Sequence, residues 1–327
     1  MTTRKLVALA LALLAPLGSG HFHYGRRARG IAWLAVPPLT LLAFGALLPR
    51  IGRAVGWSAA CALPLAIVLV AWIASVVDLM LVREGPATRG WQTALFVAAG
   101  LVAPMIGAGV VRVLLLESFR VPSASMEPTI LANDRLFVDK SDHRARYGDV
   151  VAFASPDDGQ TFVKRVMARP GDVLETRRGR PWINGWEVPS CSLGEATLDD
   201  KTGELVVEFL GDASYLVFYS TTPPMAHAGP FYARANGVLV LGDARNDSFD
   251  SREFRGGLDG NVALSDVQGR AVLVWLRFTP TDDARFGIDL GADVKPRLPT
   301  SLANLARALD ACLAKRPAAI PPPPLAR

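Results

Sequence analysis

The sequence predicts a membrane-anchored, mainly β protein: N-terminal transmembrane helices, then an antiparallel β-sheet domain, then a short C-terminal helix. Three observations carry this. Half of the 327 residues are hydrophobic and the mean hydropathy is +0.27, high for a chain that lives wholly in water. The long apolar runs are confined to the first third. From Glu117 onward the pattern changes to short β-branched and aromatic runs divided by Pro, Gly and Asn.

Crossing the hydrocarbon core takes about 20 apolar residues. Residues 59–82 and 92–116 meet that length, and 31–48, shorter and interrupted by Pro37–Pro38, fits with a kink. Residues 6–20 read as a fourth span, a re-entrant piece or the core of a cleavable leader. With three further spans behind them, an uncleaved segment is favoured. Before Glu117 the chain carries 10 Lys/Arg against Asp78 and Glu84; from Glu117 onward, 25 bases face 28 acids. The basic pI therefore belongs to the membrane part. The arginines at 26–29 and Arg83/Arg89 outnumber Arg50/Arg53, which puts their loops inside and everything after Glu117 outside. Arg112 snorkels at the outer end of the last span. Asp78 lies in a span only one turn from its inner end, so an interfacial residue is favoured over a functional one.

The water-exposed part has no basic patch for nucleic acid. Cys61, Cys191 and Cys312 are too few and scattered for a disulfide framework or a zinc site. Cys61 reads as a small core residue. A Cys191–Cys312 bridge fits an oxidising compartment but is weighed against. His21, His23, His143 and His227 form no ligand spacing, so neither metal nor cofactor is expected.

Strands are predicted at 134–139, 148–154, 161–168, 204–210, 214–219, 237–242 and 271–278, with turns at Pro170–Gly171, Asn184–Gly185 and Pro223–Pro224. Asn184–Gly185 is the strongest hairpin signal, since a type I′ turn needs φ > 0 at both positions. Leu302, Leu305, Leu309 and Leu313 recur at helical spacing in 300–316. The proline-rich end, 317–327, reads as a disordered tail.

No GxSxG elbow is present, and His143 and His227 read as ordinary loop histidines. A lysine is the other possible base, provided burial lowers its pKa. In "TFVKRVMA" alternation puts Lys164 on the apolar face with Phe162 and Val166, and Arg165 on the other. Lys164 either snorkels from a strand edge or is buried for a reason. "GDARNDSFDSR" (242–252) follows a strand and reads as a polar loop with an Asp250–Arg252 pair, suited to orient a lysine through a hydroxyl.

Four ordered blocks, "VPSASMEPT", "RYGDVVAF", "FVKRVMARPGD" and "GDARNDSFDSR", resemble the bacterial type I signal (leader) peptidases, membrane-bound Ser–Lys proteases. The resemblance covers about 117–278. It implies Ser125 as nucleophile, Lys164 as general base, Ser123 as a side-chain oxyanion donor beside the Ser125 N–H, and Ser248 as the hydroxyl that holds the lysine. It implies Asp243, Asp250 and Arg252 as structural support. Val121, Pro122, Met126, Phe162 and Val163 fall where the family lines a small pocket for alanine-like side chains. Ala168 and Arg169 depart from the family's usual residues before "PGD", and 251–271 is longer than its usual link.

The implied organisation is a membrane domain of three or four helices (1–116), an extracytoplasmic β-rich peptidase domain (117–297), and an amphipathic helix with a Pro-rich tail (298–327). The implied activity is removal of signal peptides from exported preproteins after Ala-x-Ala-like sites. The implied setting is the bacterial inner membrane with the catalytic domain outside, and the implied partners are preproteins and the lipid bilayer, with the enzyme acting as a monomer near the export machinery. The alternatives are a membrane-anchored Ser–Lys protease with another dedicated substrate, and an inactive preprotein-binding homologue.

Overall fold

The structure, a computed structural model, describes residues 2–55, 57–198, 200–221, 227–277, 285–291 and 298–323. The chain divides into two compact units, Met1–Leu116 and Glu117–Arg327.

The first unit is helical: α1 (Thr3–Leu14), α2 (Ser19–His23), α3 (Arg27–Val55), α4 (Trp57–Leu81) and α5 (Gly90–Leu114). Among the described residues three helices are long and apolar enough to cross a membrane, over Arg27–Leu48, Ala62–Leu81 and Gly90–Leu114. The ambiguous 6–20 segment forms most of α1 and the turn into α2. Lys5 Nζ donates to Met80 O, and farther along Ala12 O accepts from Trp72 Nε1, so α1 runs antiparallel beside α4. At 12 residues it is too short to span. Both ends of the hairpin return to one loop: Arg4 donates to Glu84, Gly85 O and Pro86 O, and Gly85 N–H donates to Tyr24 O. The turn needs glycine at Gly18, whose φ is +85° and where a Cβ would lie 2.1 Å from Gly30 O.

Asp78 has partners that its position beside Arg83 did not suggest. It accepts from Arg29 at 2.5 Å and Trp33 Nε1 at 3.3 Å, and meets buried His21 Nε2 at 3.0 Å. It ties the hairpin to α3 and α4. Cys61 lies on α4, and its side chain falls outside the described residues.

The second unit is built from β1 (Leu116–Arg120), β2 (Arg135–Asp139), β3 (Val150–Ala154), β4 (Thr161–Ala168), β5 (Val173–Arg177), β6 (Arg180–Ile183), β7 (Trp186–Glu187), β8 (Ser190–Leu198), β9 (Lys201–Leu210), β10 (Ala213–Ser220), β11 (His227–Tyr232), β12 (Gly237–Leu241), β13 (Val262–Ala263), β14 (Val267–Leu276), β15 (Ile288–Asp289) and α6 (Ala306–Ala314). One sheet runs β1-β2-β14-β3-β4-β12-β13, with β15 on β14; the others run β10-β9-β8 and β11-β5-β6-β7. The β2–β14, β14–β3, β3–β4 and β4–β12 ladders are antiparallel, and β14 is the long strand that joins them. Asn184 and Gly185 take φ of 54° and 78° in the β6–β7 hairpin, as the turn requires.

Two apolar clusters sandwich the site strand. Val121, Met126, Ile130, Leu136 and Val138 pack with Val163 on one side; Val151, Phe153, Val166 and Phe254 pack with Phe162 on the other. Because both faces of β4 are covered, Arg165 does not reach solvent. It is 1% exposed, a correction to the simple alternation of one buried and one wet face.

Four sequence expectations change. Residues 300–316 form a 3₁₀ turn, Thr300–Leu305, before α6 rather than one continuous helix. His227 begins β11 instead of sitting in a loop. Cys191 on β8 and Cys312 on α6 form a disulfide with Cα atoms 5.9 Å apart, which pins the C-terminal helix to the third sheet. The proline-rich end is docked through residue 323: Gly211 N–H donates to Ala319 O and Asn184 Nδ2 to Pro322 O, and Ala319 joins the core formed by Leu205, Phe209 and Leu309. Pro223–Pro224 lies outside the described residues.

Candidate active site

Ser125 lies in the turn between β1 and β2, and Lys164 lies mid-strand on β4. Lys164 Nζ is 2.5 Å from Ser125 Oγ, and Ser123 Oγ is 3.2 Å from it. Their elements are far apart in sequence, so the sheet brings them together. The turn is held from beneath: Ala244 N–H donates to Ser125 O, Thr129 Oγ1 donates to Leu216 O, and Arg285 donates to Thr129 O and Asp134. With Pro122 and Pro128 restricting the backbone, the hydroxyl sits at a fixed point.

The amine is 4% exposed. Burial is the dominant influence and drives the Lys164 pKa from 10.5 down to about 8, against the opposing pull of Asp250 and Asp243. Nζ also lies 5.7 Å from the Phe162 ring centroid.

Both acids are already engaged. Asp250 receives Arg252 through two 2.8 Å bonds and the Gly242 N–H at 2.9 Å. Burial opposes ionisation of Asp250, but Arg252 and these hydrogen bonds hold its pKa below the usual carboxylate value. Asp243 receives Arg165 Nε at 2.8 Å and its NH2 at 2.5 Å. Arg165 also donates to Gly148 O and lies 3.9 Å from the centre of the Tyr215 ring. Each carboxylate is thus paired with a guanidinium.

Gly242 is the point where the 242–252 loop meets the nucleophile turn. A Cβ there would lie 2.1 Å from Ser248 Oγ and 2.4 Å from Ser125 O, so only glycine fits. Ser248 is 7% exposed. Its hydroxyl faces the Asp250 carboxylate and helps to hold it ionised, and among the described residues it makes no hydrogen bond to the lysine.

Above the serine and lysine opens a cleft of about 420 Å³. Val121, Pro122, Phe162 and Val163 line it as the sequence predicts, together with Phe249, Lys201 and Asp247. Met126 does not. It is fully buried in the core beneath Val121, so it supports the wall rather than forming it. Sequence reasoning missed Phe249, which meets Phe162 edge-on at 6.4 Å, and the Lys201–Asp247 ion pair at 2.9 Å. Phe249 stands inside a quoted motif and could have been marked; Lys201 comes from a distant hairpin and carried no signal. A larger depression of about 550 Å³ lies along β8–β10, but neither a lysine nor a histidine lines it, and Ser125 and Lys164 are not among its residues.

The family described as signal peptidase, peptidase S26, has a model that matches residues 88–276. A probable signal peptidase I-2 of Synechocystis sp. is 30% identical over 219 residues, covering 62% of this chain and 83% of that protein. A signal peptidase I of Leptolyngbya laminosa is 31% identical over 183 residues, covering 53% and 73%. A crystal structure of a signal peptidase I from Enterococcus faecalis aligns with 39% of this chain and 96% of its own at 24% identity, with a TM-score of 0.25.

If Lys164 takes the proton of Ser125, its own deprotonation sets the pH at which Ser125 reacts. Acylation of Ser125 by a small activated ester should rise with pH and level off above about 8, following deprotonation of Lys164. Lys164→Arg should lose the labelling, because a guanidinium stays protonated. Labelling of Lys164→Arg at the unsubstituted rate would contradict the lysine base.

Proposed function

From the premise that this chain belongs to the signal peptidase family, peptidase S26, we propose how Ser125 and Lys164 carry out its reaction. The protein is a membrane-anchored serine endopeptidase that removes signal peptides from preproteins. The observation that carries the mechanism is a buried amine with a lowered pKa, 2.5 Å from a serine hydroxyl.

Neutral Lys164 takes the Ser125 proton as Oγ attacks the carbonyl carbon of the scissile bond. The oxyanion so formed is stabilised by the Ser123 hydroxyl and the Ser125 N–H; losing one such donor costs about 10²–10³ in rate. The C–N bond then breaks, and the ammonium of Lys164 returns its proton to the leaving amine. Water, deprotonated by the same lysine, attacks the acyl-enzyme; the acyl C–Oγ bond breaks, Ser125 Oγ takes the proton back from Lys164, and the signal peptide leaves with a new carboxylate. Ser248, buried between the Ser125 backbone and the Asp250 carboxylate, is assigned to orient the amine. Asp250–Arg252 and Asp243–Arg165 hold the surrounding loop.

Val121, Pro122, Phe162 and Val163 receive the small side chain before the cut, with Met126 as their floor. A serine and a lysine paired within one chain support action as a monomer beside the export machinery. The site faces the outside of the bacterial inner membrane. Arginine placement supports this, and so does the Cys191–Cys312 disulfide, a bond that persists in oxidising compartments.

Two measurements test this reading. Purified protein should cleave a preprotein after Ala-x-Ala, and replacing the last Ala by Leu should cut kcat/KM by at least tenfold through steric exclusion; equal cleavage after Leu would contradict the pocket. Cysteines placed at the exposed positions 54 and 258 should react with an impermeant thiol reagent on intact spheroplasts, and one at 86 should not. Protection at 258 would contradict the outward orientation.

A further inference from the structure

The cleft has two unlike ends. The 119–123 segment and the start of β4 line one end with Val121, Pro122, Phe162 and Val163, and both lead to Ser125 and Lys164. The other end continues from Ala124 into a small recess shared with Lys201 and Asp247 and reaching Asp200; none of the four apolar wall residues lines that recess. A peptide whose acyl part fills the apolar end must pass this recess after the scissile bond.

The ammonium of Lys201 donates to Asp247 at 2.9 Å, and its side chain is 45% exposed, against 24% for Asp247. An ammonium has three N–H donors, so the one bond to Asp247 leaves it able to meet a second carboxylate. Lys201 opens β9 and Asp247 lies in the 242–252 loop, so the pair closes the leaving-group end from two separate elements.

We propose that the Lys201–Asp247 pair is a specificity determinant for the residue just after the scissile bond, with Lys201 favouring an acidic side chain there and Asp247 a basic one. This rests on the assignment of Ser125 and of the apolar acyl-side wall under the proposed function. The two charges oppose each other and Asp200 lies close by, so the inference concerns the sign of each contribution to the preference. An exposed pair is worth about 0.2–1 kcal/mol, so each substitution should move the preference by up to roughly fivefold.

The test uses full-length protein and three peptides with Ala before the cut and Glu, Gln or Lys after it. The readout is kcat/KM for the Glu and Lys peptides, each divided by that for the Gln peptide. Lys201→Ala should lower the Glu-to-Lys ratio about two- to fivefold, and Asp247→Asn should raise it by a similar factor. Both shifts should shrink in 1 M salt, where screening is short-ranged. A merely structural role would move all three peptides together; an unchanged ratio in both variants, or shifts of the same sign, would overturn the proposal. Cleavage of the Gln peptide by the unsubstituted protein, absent in Ser125→Ala, separates failure of this inference from failure of the Ser125–Lys164 assignment.

Discussion

The site depends on keeping a lysine out of water. At an ordinary pKa of 10.5, only about one amine in a few thousand is neutral at pH 7; at about 8 the fraction is roughly one in ten. That difference corresponds to about 3 kcal/mol against the charged form, of the order expected for a nearly buried ammonium. Everything around Lys164 serves to sustain it. Two sheets and the 242–252 loop cover the strand, the Phe162 ring lies 5.7 Å from Nζ, and the acids nearby are neutralised by their own partners.

That last condition explains the buried arginines. A free carboxylate beside Lys164 would restore its charge and defeat the base. Asp243 and Asp250 are therefore saturated, by Arg165 and Arg252 respectively, and a well-bonded buried pair interacts with a third charge less than a bare ion does. The same pairs set geometry. Asp250 holds the Gly242 N–H, and Gly242 brings the loop against the carbonyl of Ser125 at a separation that no side chain permits. Electrostatic tuning and positional precision thus come from one network.

Much of this was legible in the sequence, because motif spacing and strand periodicity are local. Ser123, Ser125, Lys164, the Asp250–Arg252 pair and the Asn184–Gly185 turn follow from a few neighbouring residues each. What escaped depends on contacts between distant segments. Arg165 read as the outward neighbour of Lys164, since alternation says which face a residue takes and not whether a second layer covers it. Met126 sits next to the nucleophile yet points into the core. Cys191 and Cys312 are separated by 121 residues, and nothing local reveals that α6 docks on β8. The proline-rich end reads as disorder by composition, but its carbonyls find donors at Gly211 and Asn184. In the helical unit, hydropathy identified the spans but left 6–20 open. In the structure Arg4 and Tyr24 reach the same loop from opposite ends of the α1–α2 hairpin.

The central claim is that burial makes Lys164 a base near neutral pH. Titration of its side chain is the most direct test, by NMR of lysine-labelled protein with the resonance assigned through Lys164→Arg. A midpoint near 8 is the predicted result; a midpoint near 10.5, the ordinary lysine value, would contradict the account.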